Sequence, residues 1–164
     1  MRKKIILMAV MFVGILTFLT GCGKNKYDEV KEVPFPENAE LNYFMIHHEG
    51  MAMEPYYILQ RSEDSVYLKY VTMNPEELQE EELAELQEED SLIKELKEAI
   101  VQYGALGWDG YHEKVSGKGV LDSGDSYHLK IELSDGTSVT MYGYNTCPAG
   151  FESLLDQVTD LFFE

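Results

Sequence analysis

Tyr127-His128-Leu129-Lys130-Ile131-Glu132-Leu133-Ser134-Asp135-Gly136-Thr137-Ser138-Val139-Thr140-Met141 is the stretch that decides the fold. Tyr127, Leu129, Ile131 and Leu133 alternate with His128, Lys130, Glu132 and Ser134, which is the period of a strand with one face buried and one face wet. Asp135-Gly136 is a favoured two-residue turn because glycine enters the left-handed region at no steric cost, and Val139 and Met141 begin the return strand. A β-hairpin is predicted here.

Working outward, the period changes to helical. Phe151, Leu154, Leu155, Val158, Leu161 and Phe162 follow Pro148 at three- and four-residue spacing and form one continuous stripe, which predicts a closing helix. Before the hairpin, residues 105–126 are rich in glycine, with Trp108-Asp109-Gly110-Tyr111 and Leu121-Asp122-Ser123-Gly124 as turn signals. Asn74-Pro75 can cap a helix start, and the segment to Tyr103 is helical by composition. Its first part has a sparse stripe of Leu78, Leu83 and Leu86. Its second has a stronger one of Leu92, Ile93, Leu96, Ile100 and Tyr103, with Asp90-Ser91 as a possible fresh cap between them and Gly104 as the terminating glycine. Leu41 to Glu49, Tyr56 to Gln60 and Ser65 to Met73 read as three strands with short links, an antiparallel meander. The expected fold class is α+β, an antiparallel sheet of about five strands with two main helices on one face, in the order β-β-β-α-β-β-α.

The N-terminus reads differently. Arg2, Lys3 and Lys4 precede an apolar stretch from Ile5 to Leu19, and small residues then lead to Cys22. A stable spanning helix wants about 20 apolar residues, so this segment has the length and flanks of a secretory signal peptide. Leu19-Thr20-Gly21-Cys22 resembles the lipobox of bacterial prolipoproteins. That resemblance implies cleavage after residue 21, diacylglyceryl modification of Cys22, and a mature chain held by lipid on the outer face of a bacterial cytoplasmic membrane. Residues 105–155 (Trp108-Asp109-Gly110-Tyr111, Ser134-Asp135-Gly136, Gly143-Tyr144-Asn145 and Pro148 with Phe151) resemble uncharacterised lipoproteins of Gram-positive, Firmicute-type bacteria, a likeness that implies an address and a fold but no activity. The expected organisation is a leader over 1–21, a lipidated cysteine and flexible tether over 22–40, and one domain over 41–164. A flexible tether of that length spans roughly 23 Å.

Charge narrows the partners. The chain carries −17, and removal of Arg2, Lys3 and Lys4 with the leader takes the mature form to −20. Nucleic acid recruits Lys and Arg, so it is not an expected partner. The expected partners are the membrane, through the lipid, and a protein or cell-wall ligand. With Cys22 lipidated, Cys147 has no intramolecular partner and is read first as a small buried hydrophobe.

Candidate chemistry is thin. Met45, His47, His48, Met51 and Met53 offer soft and imidazole donors of the kind that suit copper, but adjacent histidines on a strand point to opposite faces, so no metal site is assigned. Nine acids and no bases between Glu76 and Asp90 read as a solvated helix face. Trp108, Asp109 and Tyr111, with Tyr144 and Asn145 bordering them, form the candidate ligand-binding surface, because loops that present aromatic rings with polar tips are where binding occurs. No serine elbow or zinc-spaced histidines are present, so no catalytic residue and no cofactor is expected, and the chain reads as a binding module. The alternative is a small thiol- or metal-dependent enzyme or metal-handling protein at the envelope, with Cys147 paired to His112 or His128.

Overall fold

The computed structural model describes residues 26–50, 55–63, 65–71, 83–86, 91–115 and 124–163. The strands are β1 (Leu41–Glu49), β2 (Tyr56–Arg61), β3 (Val66–Val71), β4 (Leu83–Leu86), β5 (His112–Lys114), β6 (Ser126–Leu133) and β7 (Ser138–Tyr144). Helix α1 covers Ser91–Gln102, a single 3-10 turn follows at Ala105–Trp108, and α2 covers Phe151–Phe163. The strands form one sheet in the order β4-β3-β2-β1-β6-β7-β5, and only β5 runs parallel to its neighbour.

The α+β class, the β1–β3 meander and the β6–β7 hairpin match the sequence reading. Glu132 opposes Ser138, Ile131 opposes Val139, and the Leu133 N–H donates to the Thr137 carbonyl, so the loop is the three residues Ser134-Asp135-Gly136, one longer than a two-residue turn. Gly136 has φ +89°, and the Thr137 N–H donates to Asp135 Oδ1 at 2.9 Å, so the turn is held from both its backbone and its side chain.

The central pairing joins segments far apart in the chain: β1 lies antiparallel to β6, with Phe44 opposite Ile131 and Ile46 opposite Leu129. The register shifts between Leu41 and Tyr43, which puts Leu41 on the same face as Phe44 and Ile46. That face also carries Tyr57 and Leu59 of β2 and Val139 and Met141 of β7, all buried. Both helices cover it, α1 with Ile93, Leu96 and Ile100 and α2 with Phe151, Leu154 and Val158. Tyr127 meets Phe151 edge-on, and Tyr57 meets Phe162 in the same way. Burying each such side chain contributes roughly 1.5–3 kcal/mol, so this interface is the main stabilising element of the domain.

Three expectations need correction. First, Leu83–Leu86 is a strand paired on β3, within a stretch read from composition as helix. The helix stripe there is sparse and its acids repel at i, i+4, whereas the β3 edge has unpaired backbone groups to satisfy. The rest of 72–90, including Asp90 of the expected cap, lies outside the described residues, and α1 covers Ser91–Gln102. Second, the strand count exceeds five, because β4 and the three-residue β5 are added at the two edges.

Third, the domain does not begin at Leu41. Tyr27 packs edge-on against Tyr111 with ring centroids 4.9 Å apart, and its hydroxyl donates to the Asp109 carbonyl at 3.0 Å. The Ala149 N–H donates to the Tyr27 carbonyl at 3.0 Å, and Phe35 packs on the core beneath the Lys97 ammonium. Gly104, at φ +71°, sits so close to the Lys31 carbonyl that a Cβ there would overlap it. Residues 27–40 are therefore a strap bound across the helix side of the domain, without helix or strand. Val33 and Phe35, alternating with Pro34 and Pro36, carry apolar side chains that find partners in helix and turn that the local sequence does not contain.

Candidate functional site

With both helices on one face of the sheet, the other face carries Tyr43, Met45 and His47 of β1, Tyr56 and Ile58 of β2, His128 and Lys130 of β6, and Tyr142 of β7. A row of rings crosses it. His47 stacks on Tyr56 with centroids 3.8 Å apart and planes 10° from parallel. His47 opposes His128 in the ladder, with centroids 5.9 Å apart. His128 opposes Tyr142 and meets it edge-on at 5.0 Å, and Tyr142 opposes His112 at 5.2 Å. The row Tyr56–His47–His128–Tyr142–His112 thus runs straight across β2, β1, β6, β7 and β5, about 19 Å from end to end at the usual strand spacing.

Its members differ in environment. His47 is 4 % exposed, and its Nδ1 lies 3.1 Å from the Pro55 carbonyl oxygen. A carbonyl only accepts, so Nδ1 carries a proton in this contact. Burial, and secondarily the neighbouring His47, hold the His128 imidazole below its ordinary value, while the Glu49 carboxylate opposes that shift. His128 is accordingly neutral at physiological pH and can both donate and accept a hydrogen bond. Burial, and secondarily Glu49, raise the Tyr56 phenol, which stays protonated. At the other end of β1, Lys130 lies 5.2 Å from the Tyr43 ring centroid and 2.7 Å from Glu132. His47 and Ile58 are buried within the face, and the groups it presents are the rings of Tyr56, His128, Tyr142 and His112, with the Lys130–Glu132 ion pair at its margin.

The loop residues singled out from sequence are placed differently. Trp108 is 4 % exposed and packs on Phe151, and Tyr111 is 3 % exposed. Their rings are core, so stacking on a ligand from a loop is corrected to packing beneath one. Asp109 is exposed, but its Oδ1 accepts from the Thr140 N–H at 3.1 Å and its carbonyl accepts from Tyr27, so it fastens the turn to β7 and the strap. Asn145, at φ +56°, accepts from the Asp125 N–H and donates to the Val115 carbonyl, which makes it a loop clamp. Tyr144 lies beneath the Lys114 ammonium at 4.8 Å and stays partly exposed at the edge of the ring-bearing face.

Cys147 is half-buried against the core, and burial, with Glu152 second, pushes its thiol up to about 11. At neutral pH it is a thiol, the packing form, whereas a nucleophile needs the thiolate. The ring contacts of His112 and His128 are to Tyr142 and His47. His48 stacks on Tyr127, on the face opposite His47, as strand geometry requires. Met51 and Met53 and Cys22 lie outside the described residues. Among the described residues, no three His, Cys, Asp or Glu side chains are grouped to hold a metal ion. The histidine row escaped sequence reading because its members come from three distant segments. The available signal was the placement of His128 and His47 on the polar side of their strands.

No family model matches the chain, and no curated protein or solved structure shows significant similarity to it.

Proposed function

We propose that this chain is a lipid-anchored protein of the outer face of a bacterial cytoplasmic membrane, acting as a non-enzymatic binding module. Its ligand-contacting surface in this reading is the sheet face opposite the helices. One observation carries the proposal: the partly exposed rings of His128 and Tyr142 and the exposed ring of His112, lined up on adjacent strands in a row that continues through buried His47 to Tyr56. Rings fixed on strands lose little side-chain entropy on contact, and imidazole and phenol groups pair with amide or hydroxyl ligands while their faces stack. A cell-wall saccharide-peptide or a protein segment has that mixture of groups. The leader, Leu19-Thr20-Gly21-Cys22 and the acidic mature chain support the address.

The test is sedimentation of the mature domain with purified cell wall and, separately, with detergent-extracted envelope proteins. The double variant H128A/Y142A is expected to lower retention at least ten-fold in the fraction that holds the ligand. Undiminished retention would remove the face from the binding role. Mass spectrometry of the membrane-extracted protein checks the address, because an unmodified Cys22 ends it.

A further inference from the structure

The strap changes what a lipid on Cys22 does, and the inference here rests on that anchoring. A free tether of 22–40 lets a domain float and tumble. With Tyr27 bound to Asp109, Tyr111 and Ala149, four residues (23–26) separate the anchor from the folded body, and the five steps from Cys22 to Tyr27 reach at most about 18 Å when fully extended. A domain of this size is about 35–40 Å across. The far side of the body therefore cannot turn toward the bilayer, because that would lift Tyr27 beyond its tether.

Charge is arranged along the same axis. Mature basic residues number ten, and five of them (Lys24, Lys26, Lys31, Lys94 and Lys97) belong to the tether, the strap and α1. Lys97 lies over Phe35 of the strap, so strap and helix form one surface, with a shallow groove between Glu32, Phe35, Lys94, Lys97 and Val101. Asp28, Glu29, Glu32, Glu37, Glu40, Glu95 and Glu98 belong to the same segments, which therefore carry a net charge of −2, while the rest of the mature chain carries −18. β4 pairs on β3 at the sheet edge opposite β5. An anionic leaflet repels the strap side less than the rest of the body, and at two Debye lengths or less the difference is felt.

We propose that the strap, the end of α1 and the 3-10 turn form a membrane-facing surface, so that the domain stands on an anionic bilayer in one orientation with β3 and β4 outermost. The partner is the lipid surface itself, and the ring row is presented edge-on to the membrane with His112 at its near end.

The full chain, processed in a bacterial host and reconstituted in vesicles of phosphatidylglycerol and phosphatidylethanolamine bearing a headgroup energy acceptor, tests this. A donor dye is placed by Q102C beside the strap, or by E63C on the β2–β3 turn, each with C147S. Quenching at 102 is expected to exceed that at 63 by at least two-fold. G104A, which forces the strap off its seat, and independently Y27A, are expected to narrow the difference, with far-UV circular dichroism confirming the fold. Equal quenching at both sites in protein whose mass includes the lipid would overturn the fixed orientation while leaving the anchor in place. A mass without lipid would overturn the anchoring, and this orientation with it.

Discussion

Tyr27 meets Tyr111 edge-on, ring centroids 4.9 Å apart and planes 84° from parallel, although the two residues lie 84 positions apart in sequence. This contact, with the hydroxyl of Tyr27 on the Asp109 carbonyl, converts what would be a linker into part of the folded body. Removing both by Tyr27→Ala is expected to lower unfolding free energy by about 1–2 kcal/mol, the combined size of one aromatic pair and one hydrogen bond. Urea denaturation measures it, and a loss under about 0.3 kcal/mol would show that the strap is not part of the cooperative unit.

Gly104 and Gly110 share φ +71° but differ in surroundings. A Cβ at Gly104 would overlap the Lys31 carbonyl, whereas nothing lies within 4 Å of one at Gly110. Both alanine variants incur the left-handed cost of about 1–2 kcal/mol. Only Gly104→Ala must also displace the strap, so it is expected to be the more destabilising by about 1 kcal/mol or more in the same denaturation experiment. Equal losses would mean that the strap yields freely at Lys31.

Trp108 is a core residue of the turn that carries Asp109. Trp108→Ala is expected to cost about 3–5 kcal/mol, as large-to-small changes in a packed core do. The corresponding thermal scan should show a fall well beyond that of a surface variant. A near-neutral result would return the indole to the surface role read from sequence.

His128 supplies a pH dependence. Its imidazole titrates lower folded than unfolded, from burial first and His47 second, so the unfolded chain binds more protons below the ordinary value of 6.5. The stability it contributes is complete above that value and falls as pH drops from about 6.5 toward the folded value. His128→Leu is expected to flatten the urea midpoint between about pH 7 and 5 relative to the parent. Parallel pH profiles for the two proteins would show that His128 is not the group responsible.

Cys147 behaves in the opposite sense. Burial raises its thiol from 9.0 to about 11, which lowers the thiolate fraction at pH 8 about 100-fold. Reaction with a disulfide reagent at pH 8 is expected to be at least that much slower in folded protein than in urea. A comparable rate in both states would make Cys147 a reactive surface thiol and revive a nucleophilic role.

The sequence by itself determined the strand period of β1–β3, the β6–β7 hairpin with its Asp135-Gly136 turn, and the stripes of α1 and α2. Those features are local: alternation, caps and turn residues act over a few positions, and the chain writes them out in order. It also carried the basic residues 2–4, the apolar run from Ile5 to Leu19 and Cys22, which form a linear pattern. The tertiary structure alone decided that β1 pairs with β6, that Leu83–Leu86 completes the β3 edge instead of extending a helix, and that Trp108 goes inward. It alone joined His47, His128 and His112 through Tyr142 and bound residues 27–40 to the body. Each of these depends on surface and backbone groups supplied by a segment remote in sequence. Their energies arise only once both partners are in place, and no local pattern in either partner records them.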